Sequence, residues 1–91
     1  MYKYKLSLEA EEDIVRIFEY GFYRFGMNQA NNYYDMLFEY FNTIASDPLM
    51  FPETIKNNRK YRFCVCGVDT IYYKINEDEI EIITIIGRQH F

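Results

Sequence analysis

The pattern of hydrophobic and polar positions begins with a short strand and continues into an amphipathic helix. Residues Tyr2 to Leu6 alternate with a period of two, which is typical of a strand. Ser7 is a good helix N-cap, and acidic residues fill the first turns, where the helix dipole favours negative charge. We therefore predict a helix over Ser7–Phe25 that ends at Gly26. Its predicted buried face carries Ala10, Ile14, Ile17, Phe18, Gly21 and Phe25.

A second amphipathic helix follows almost at once. Asn28 can cap it, and Asp47-Pro48 ends it, which gives the range Asn28–Ser46. Its apolar positions follow a 4-3-4-3 spacing: Ala30, Tyr34, Leu37, Phe41 and Ile44. A joint of one or two residues between two such helices predicts an antiparallel helical hairpin.

The rest of the chain has the pattern of β structure. Residues 48–59 contain two prolines and an Asn pair and are predicted to be a loop. Strands are predicted at Lys60–Cys66, Val68–Ile75 and Ile80–Gly87, and the last is apolar on both faces, as a central strand is. The element order is then β-α-α-β-β-β. It defines an α+β fold in which a helical hairpin packs on one face of a mainly antiparallel sheet.

The opposite face of that sheet is predicted to lack a second layer. It is expected to carry Arg62, Cys64, Cys66, Tyr72 and part of the last strand. The chain also contains ten Tyr and eight Phe, more than so small a protein can bury. Because Tyr suits surfaces that are apolar on one side and wet on the other, both features favour a protein-binding function.

Length and composition narrow the class of protein. Ninety-one residues predict a single domain, 1–91. No apolar run is long enough to span a membrane, and the N-terminus turns acidic before a signal-peptide core could form, which predicts a cytoplasmic protein. The net charge of −4 argues against sequence-specific nucleic-acid binding, although Lys56, Arg59, Lys60 and Arg62 form a local basic cluster.

Cofactor and metal chemistry is not indicated. Cys64 and Cys66 are two residues apart on a predicted strand, so their side chains run roughly parallel, which is poor geometry for a disulfide. A metal bound by this pair would have His90 as its only other soft ligand. Two reduced, half-buried thiols are the expectation, with no metal and no cofactor.

One enzymatic mechanism remains open from the residues alone, namely acid–base cleavage of RNA. It needs an acid, a base and cations around the phosphate. His90, the only histidine, is the candidate acid and Glu53 the candidate base, with Arg62 or Arg88 as the cation. A pairing of His90 with a cysteine nucleophile has no support from the spacing.

Several segments resemble one protein family in order and spacing. They are "YKLSLEAEED", the "FG" and "QA" that flank the helical joint, the Asp-Pro after the second helix, and "IYYKINEDEIEI". Together they resemble the ParE-type toxins of the RelE/ParE superfamily over essentially the whole chain. The resemblance implies a RelE/ParE-like domain, a role as toxin of a type II toxin–antitoxin module in plasmid stabilisation, and neutralisation by a cognate antitoxin.

The superfamily divides by target. RelE-like members are ribosome-dependent endoribonucleases, whereas ParE-like members are DNA gyrase poisons that lack the nuclease residues. Nuclease members carry an Arg shortly before the Tyr of the third strand, and Asp69-Thr70-Ile71-Tyr72 offers no cation there. We therefore expect inhibition of DNA gyrase through protein–protein contact. The ending "RQHF" keeps the endoribonuclease as the alternative, and the short C-terminus adds a third interpretation with little residual toxicity.

The predicted contact residues follow from this assignment. Those for the target are Arg59, Arg62, Arg88, His90 and Phe91. Those for the antitoxin are the tyrosines off the helical core stripes, namely Tyr20, Tyr23, Tyr33 and Tyr40. A homodimer and a hetero-oligomer with the antitoxin both remain open.

Overall fold

The structure is a computed structural model that describes residues 2–87. This part of the chain contains two helices and five strands. In chain order they are β1 (Lys3–Leu6), α1 (Leu8–Phe25), α2 (Met27–Ser46), β2 (Glu53–Lys56), β3 (Arg59–Cys66), β4 (Asp69–Asn76) and β5 (Glu79–Gly87). The helices form the predicted hairpin and lie on one face of the sheet. Within residues 2–87 neither helix is long and apolar enough to cross a bilayer.

The sheet has the strand order β1-β5-β4-β3-β2. β1 runs parallel to β5, and all other neighbours are antiparallel, which confirms the predicted α+β class and places the most apolar strand inside the sheet. The loop predicted over residues 48–59 is wrong in its second half, because that half contains β2. Asn57 and Asn58 adopt φ values of 54° and 64°, and this two-residue turn pairs Lys56 with Arg59.

A single glycine joins the two helices. Gly26 has φ 93° and ψ 174°, donates its N–H to the carbonyl of Phe22, and accepts from the N–H of Ala30. The same residue therefore ends α1 and begins α2. The predicted cap Asn28 lies inside α2 instead, because the extended, positive-φ turn that starts the helix two residues earlier suits only glycine.

The core lies between the hairpin and the sheet. Ile14 and Ile17 of α1 and Leu37, Phe41 and Ile44 of α2 are buried, as predicted. Their partners on the sheet include Cys64, Cys66, Ile71, Tyr73, Ile80, Ile82 and Ile85.

Two residues of the predicted helical faces are exposed. Phe25 is 58% exposed because it is the last residue of α1 and lies two turns beyond Ile17, where helix burial ends. Tyr34 is 40% exposed because it lies at the hairpin surface. Its ring packs there against Phe18 and Phe38, with centroids 6.1 and 4.7 Å away.

Where β1 ends, side chains of α1 form hydrogen bonds to the edge of β5. β1 pairs with β5 only as far as Ile82. Beyond that point the carboxylate of Asp13 accepts from the N–H of Ile85 and from the hydroxyl of Thr84, each at 2.9 Å. Arg16 donates to the carbonyl of Ile85 at 3.1 Å. α1 thus satisfies the backbone groups that a neighbouring strand would otherwise pair.

The predicted composition of the open sheet face is wrong for three of its residues. Cys64 lies opposite Ile71 and Cys66 opposite Asp69, and all four side chains are buried beneath the helices. Arg62 shares that side of the strand, whereas Tyr72 is on the open face as predicted. Alternation gives the two sets of residues but does not say which set faces inward when both contain apolar side chains.

The turn between β3 and β4 generates a stability prediction. Gly67 has φ +61°, and a Cβ there would lie 2.8 Å from the hydroxyl oxygen of Tyr33. We expect Gly67→Ala to lower the free energy of unfolding by about 2 kcal/mol. Gly21→Ala is the matched control, since its Cβ would meet Ala30 at ordinary distances of 3.6–3.7 Å and a helical alanine gains up to about 1 kcal/mol. Urea unfolding measures both, and equal stabilities would contradict the turn geometry.

Candidate functional site

A basic depression opens where β3 and β4 separate. The last paired residues of the two strands are Arg62 and Tyr73, so the chain segments beyond them diverge. The gap is an open hollow of about 230 Å³. It is lined by Glu53, Lys60, Tyr61, Arg62, Lys74 and Ile75. We call it the sheet depression.

Arg62 is held in place by the loop that follows α2. Its guanidinium donates to the carbonyl of Phe51 at 2.5 Å. The loop is fixed in turn by Tyr73, whose hydroxyl donates to the carbonyl of Pro48 at 2.6 Å and whose ring meets that of Phe51 edge-on. Burial raises the pKa of Tyr73 to about 12, so this hydroxyl keeps its proton.

The carboxylate of Glu53 lies between two cations. It pairs with Arg62 at 3.4 Å and with Lys60 at 4.0 Å. Lys74 adds a third cation to the lining, so positive charge exceeds negative charge in the sheet depression. This arrangement can hold an anionic group. As a general base, Glu53 would first have to leave its ion pairs.

The structure brings together only part of the predicted catalytic set. Glu53 and Arg62 are in contact, but Arg88, His90 and Phe91 lie outside the described residues. Gly87, the last described residue, pairs with Asp69, which pairs with Cys66. Cys66 is four residues along β3 from Arg62, or about 13 Å. Gly87 therefore lies at the end of the sheet away from the contact between Glu53 and Arg62.

Arg59, predicted to contact the target, is exposed at the start of β3. The two-residue turn places it directly opposite Lys56. It therefore lies at the corner of the sheet, apart from the guanidinium of Arg62.

Of the four tyrosines predicted for the antitoxin, only Tyr23 is strongly exposed, at 82%. Tyr20 is half-buried, with the guanidinium of Arg24 5.6 Å from its ring centroid. Tyr40 is half-buried against the core. The expectation of four exposed rings is therefore wrong for Tyr20, Tyr33 and Tyr40, which are half-buried, whereas contact of these tyrosines with an antitoxin stays a prediction.

Tyr33 is a structural anchor that sequence reasoning missed. Its hydroxyl donates to the carboxylate of buried Asp69 at 2.5 Å and accepts from the N–H of Val68 at 3.3 Å. Burial and the hydrogen bond to Asp69 raise the pKa of Tyr33. This contact ties α2 to the β3–β4 turn. The only signal in the sequence was an acidic residue at the start of an otherwise apolar strand.

The two cysteines are free and buried, not half-buried as predicted. Burial raises the pKa of Cys64 to about 11 and that of Cys66 to about 12. Both are therefore neutral thiols near pH 7, and neither is an activated nucleophile. Over residues 2–87 no group of three or more His, Cys, Asp or Glu side chains could hold a metal ion.

A second surface lies along the outer side of α1. Leu8, Val15 and Phe22 are 72%, 57% and 39% exposed and are seven residues apart, so they form one row along the helix. Glu12 and Glu19 are exposed next to this row. We call the row the α1 stripe. Its spacing is visible in the sequence, but the core pattern of the same helix is stronger.

The comparisons with known structures agree on the fold. A chromosomal ParDE toxin–antitoxin system from P. aeruginosa aligns with a TM-score of 0.82 at 15% identity and covers 96% of both chains. The RelBE2 toxin–antitoxin complex from Mycobacterium tuberculosis aligns with a TM-score of 0.73 at 13% identity, over 96% of this chain and 98% of that one. A conserved hypothetical protein from Helicobacter pylori aligns at 0.60 and 18% identity, over 99% and 98%. A search of curated proteins found no match.

Two helices on one face of a five-stranded mixed sheet are the arrangement of the ParE- and RelE-like toxins. The model of one family, described as ParE toxin of type II toxin–antitoxin system, parDE, matches residues 4–90. The chain therefore belongs to the ParE toxin family of type II toxin–antitoxin systems.

The buried thiols generate a pH prediction. The pKa of Cys66 is raised in the folded state, so the unfolded chain loses this proton at lower pH. The stability should be fully present below pH 9 and fall as the pH rises towards 12. We expect the free energy of unfolding, measured in urea with reductant, to fall more steeply above pH 9 than in Cys66→Ala, by about 1 kcal/mol per pH unit. Parallel curves would contradict a buried neutral thiol.

Proposed function

We propose that this toxin acts by protein–protein inhibition of DNA gyrase and is neutralised by a cognate antitoxin. It would work in the cytoplasm, as a single toxin domain over residues 1–91, in the maintenance of the genetic element that encodes the pair. Inhibition of this kind requires exposed contact residues and no proton transfer.

The engagement of Arg62 and Glu53 is the observation that carries the proposal. A nuclease needs its base and its cation available to the substrate. Here Arg62 donates to the carbonyl of Phe51 and pairs with Glu53, which also pairs with Lys60. Both candidate groups are therefore already engaged in contacts within the protein. Arg59 is exposed at the corner of the sheet, apart from the ion pairs of the sheet depression, as a contact residue for a protein target would be.

The α1 stripe supports the antitoxin part of the proposal. Leu8, Val15 and Phe22 expose apolar area in one row, with carboxylates beside it. An amphipathic segment of a partner could cover this row in the way that helices enter apolar grooves. Two of the structural neighbours come from a ParDE toxin–antitoxin system and from a RelBE2 toxin–antitoxin complex. A cognate antitoxin is thus the partner that we assign to the helical face.

A ribosome-dependent endoribonuclease is the second candidate. The observation in its favour is the excess of cations in the sheet depression, where Lys60, Arg62 and Lys74 line the same hollow as a single carboxylate. Such a site could hold a phosphate of RNA. His90 would then have to supply the proton.

His90 separates the two mechanisms in cells. His90→Gln keeps the hydrogen-bonding capacity but removes titration near neutral pH. If toxicity is a protein contact, induction of this variant should still arrest growth and trigger the DNA-damage response. If His90 is a general acid, mRNA cleavage should fall by roughly 10²–10⁴-fold. The measurement is growth together with damage signalling and primer extension on mRNA, after induction.

Lys3→Gln is the control for this experiment because it also introduces a glutamine. Lys3 lies on the edge strand farthest from Arg59, a predicted contact residue for the target. Cut mRNA with the parent chain, lost in His90→Gln, would establish the nuclease instead. Unimpaired growth on induction of the parent chain would contradict both mechanisms and favour a protein with little toxicity.

A matched pair of valines tests the antitoxin surface. Val15 on the α1 stripe is 57% exposed and Val65 on the sheet is 55% exposed, so Val→Glu adds the same charge at equal exposure. We expect Val15→Glu to weaken binding of the neighbouring gene's product at least about tenfold, because a carboxylate then enters an apolar contact beside existing carboxylates. Val65→Glu should change the affinity little. Calorimetric titration measures both, and the reverse order would place the antitoxin on the sheet.

A further inference from the structure

Three aromatic rings lie next to one another on the open face of the sheet. Phe63 of β3 pairs with Tyr72 of β4, and their ring centroids are 6.3 Å apart. Tyr61 is two residues before Phe63 and therefore points to the same side, about 7 Å further along β3. The three rings are half-buried, and none belongs to the core cluster or packs against it. Their neighbours Cys64 and Tyr73 face the helices, which confirms the side on which the rings lie.

Cations surround these rings on the same face. The ammonium of Lys56 lies 5.4 Å from the ring centroid of Tyr72. Arg59 pairs with Lys56 across the hairpin and is two residues before Tyr61 on β3, and Lys74 is two residues after Tyr72 on β4. Residues two apart on a strand point to the same side. The acidic residues of this face, Glu79 and Glu81, are on β5 at the other side of Lys74. The β2–β4 part of the open face is thus aromatic and positively charged.

The negative charge of the protein is concentrated on the other layer. The helices carry Glu9, Glu11, Glu12, Asp13, Glu19, Asp35 and Glu39 against Arg16 and Arg24. The net charge of −4 is therefore an average over an acidic helical layer and a basic corner of the sheet. An argument from net charge alone does not exclude a polyanionic ligand, because electrostatic attraction depends on the local field.

We propose that this surface, formed by Tyr61, Phe63 and Tyr72 with Lys56, Arg59 and Lys74, binds single-stranded nucleic acid directly. Exposed bases stack on aromatic side chains, and cations beside the rings hold the phosphates. The rings are 6.3 Å apart across the strands and about 7 Å apart along β3, which fits two or three successive nucleotides of an extended strand. This binding needs neither gyrase nor a ribosome, so it goes beyond the proposed inhibition.

The combination of rings and cations determines the class of ligand. A duplex keeps its bases paired and stacked, so it could use the cations but not the rings. An acidic peptide would likewise use only the charge. A single strand alone uses both. Single-stranded DNA and single-stranded RNA share this chemistry, and the presence of the 2′-hydroxyl is the difference between them.

Fluorescence anisotropy of labelled oligonucleotides tests the proposal with the purified full-length chain. The probes are a 12-nucleotide oligo-dT, a 12-nucleotide oligo-U and a duplex of 12 base pairs, with polyaspartate as competitor. We expect either single strand to bind at least about fivefold more tightly than the duplex, since one stacked base contributes that much or more. The stronger of the two single strands identifies the natural source. The affinity should fall with salt with a log–log slope near −2, roughly 0.7 for each of three cations.

Variants separate stacking from charge. Tyr72→Leu and Phe63→Leu keep apolar bulk and should each weaken single-strand binding at least about fivefold. Tyr23→Leu is the matched control on the helical face and should change it less than twofold. Lys56→Gln, which removes no ring, should lower the salt slope by about 0.7. Thermal unfolding of each variant checks that the fold is kept.

Equal affinity for the duplex, full competition by polyaspartate, or unchanged binding by Tyr72→Leu and Phe63→Leu would each overturn the proposal in favour of simple charge attraction. No binding to any single strand would overturn it outright. Because the assay contains no gyrase and no ribosome, these results are independent of the outcome for the proposed toxicity. Recovery of intact oligonucleotide after incubation shows binding without cleavage, whereas cut oligonucleotide would replace the proposed binding surface with a nuclease site.

Discussion

The carboxylate of Asp13 joins the helical layer to the sheet at the point where the sheet loses a neighbour. β5 pairs with β4 along one edge and with β1 along the other, but β1 covers its edge only to Ile82. Beyond it, Asp13 receives the N–H of Ile85 and the hydroxyl of Thr84. A buried edge amide without such a partner would cost about 1–3 kcal/mol. The contact therefore fixes where α1 crosses the sheet, and α2 follows because Gly26 allows only a one-residue joint.

The position of the hairpin decides which surfaces remain for partners. With α1 on β5 and α2 reaching β3 through Tyr33 and the β3–β4 turn, the helices cover one face of the sheet only. The acidic helical layer then shows the α1 stripe, while the other side shows aromatic rings and cations. The two faces differ in charge and in chemistry. An antitoxin on the first face would leave the second accessible, so neutralisation and nucleic-acid binding need not compete.

Much of the fold was predictable because its signals are local. The helical spacing, Ser7 and Gly26 define the hairpin. Alternation defines β3, and β-branched, aromatic and apolar residues define β4 and β5. The sequence does not predict β2 because its four residues are mostly polar, and the Asn57-Asn58 turn that creates it is equally typical of a loop. The helix dipole accounts for the acidic run of α1, but Asp13 also accepts from a backbone N–H 72 residues away. A contact between residues so far apart in the sequence leaves no periodic pattern in the chain. The side of β3 that faces inward is not predicted either, because both of its faces carry apolar residues. The pairing of Glu53 with Arg62 was likewise not predictable without β2.

For this ParE-family toxin we propose inhibition of gyrase by contact rather than cleavage of RNA. The most direct measurement is a titration of the purified chain into a supercoiling reaction that contains only gyrase, ATP and relaxed plasmid. Inhibition by contact predicts a dose-dependent loss of supercoiling that is reversed by the neighbouring gene's product. Undiminished supercoiling at a large molar excess of the chain, together with cleavage of mRNA on purified ribosomes, would contradict it.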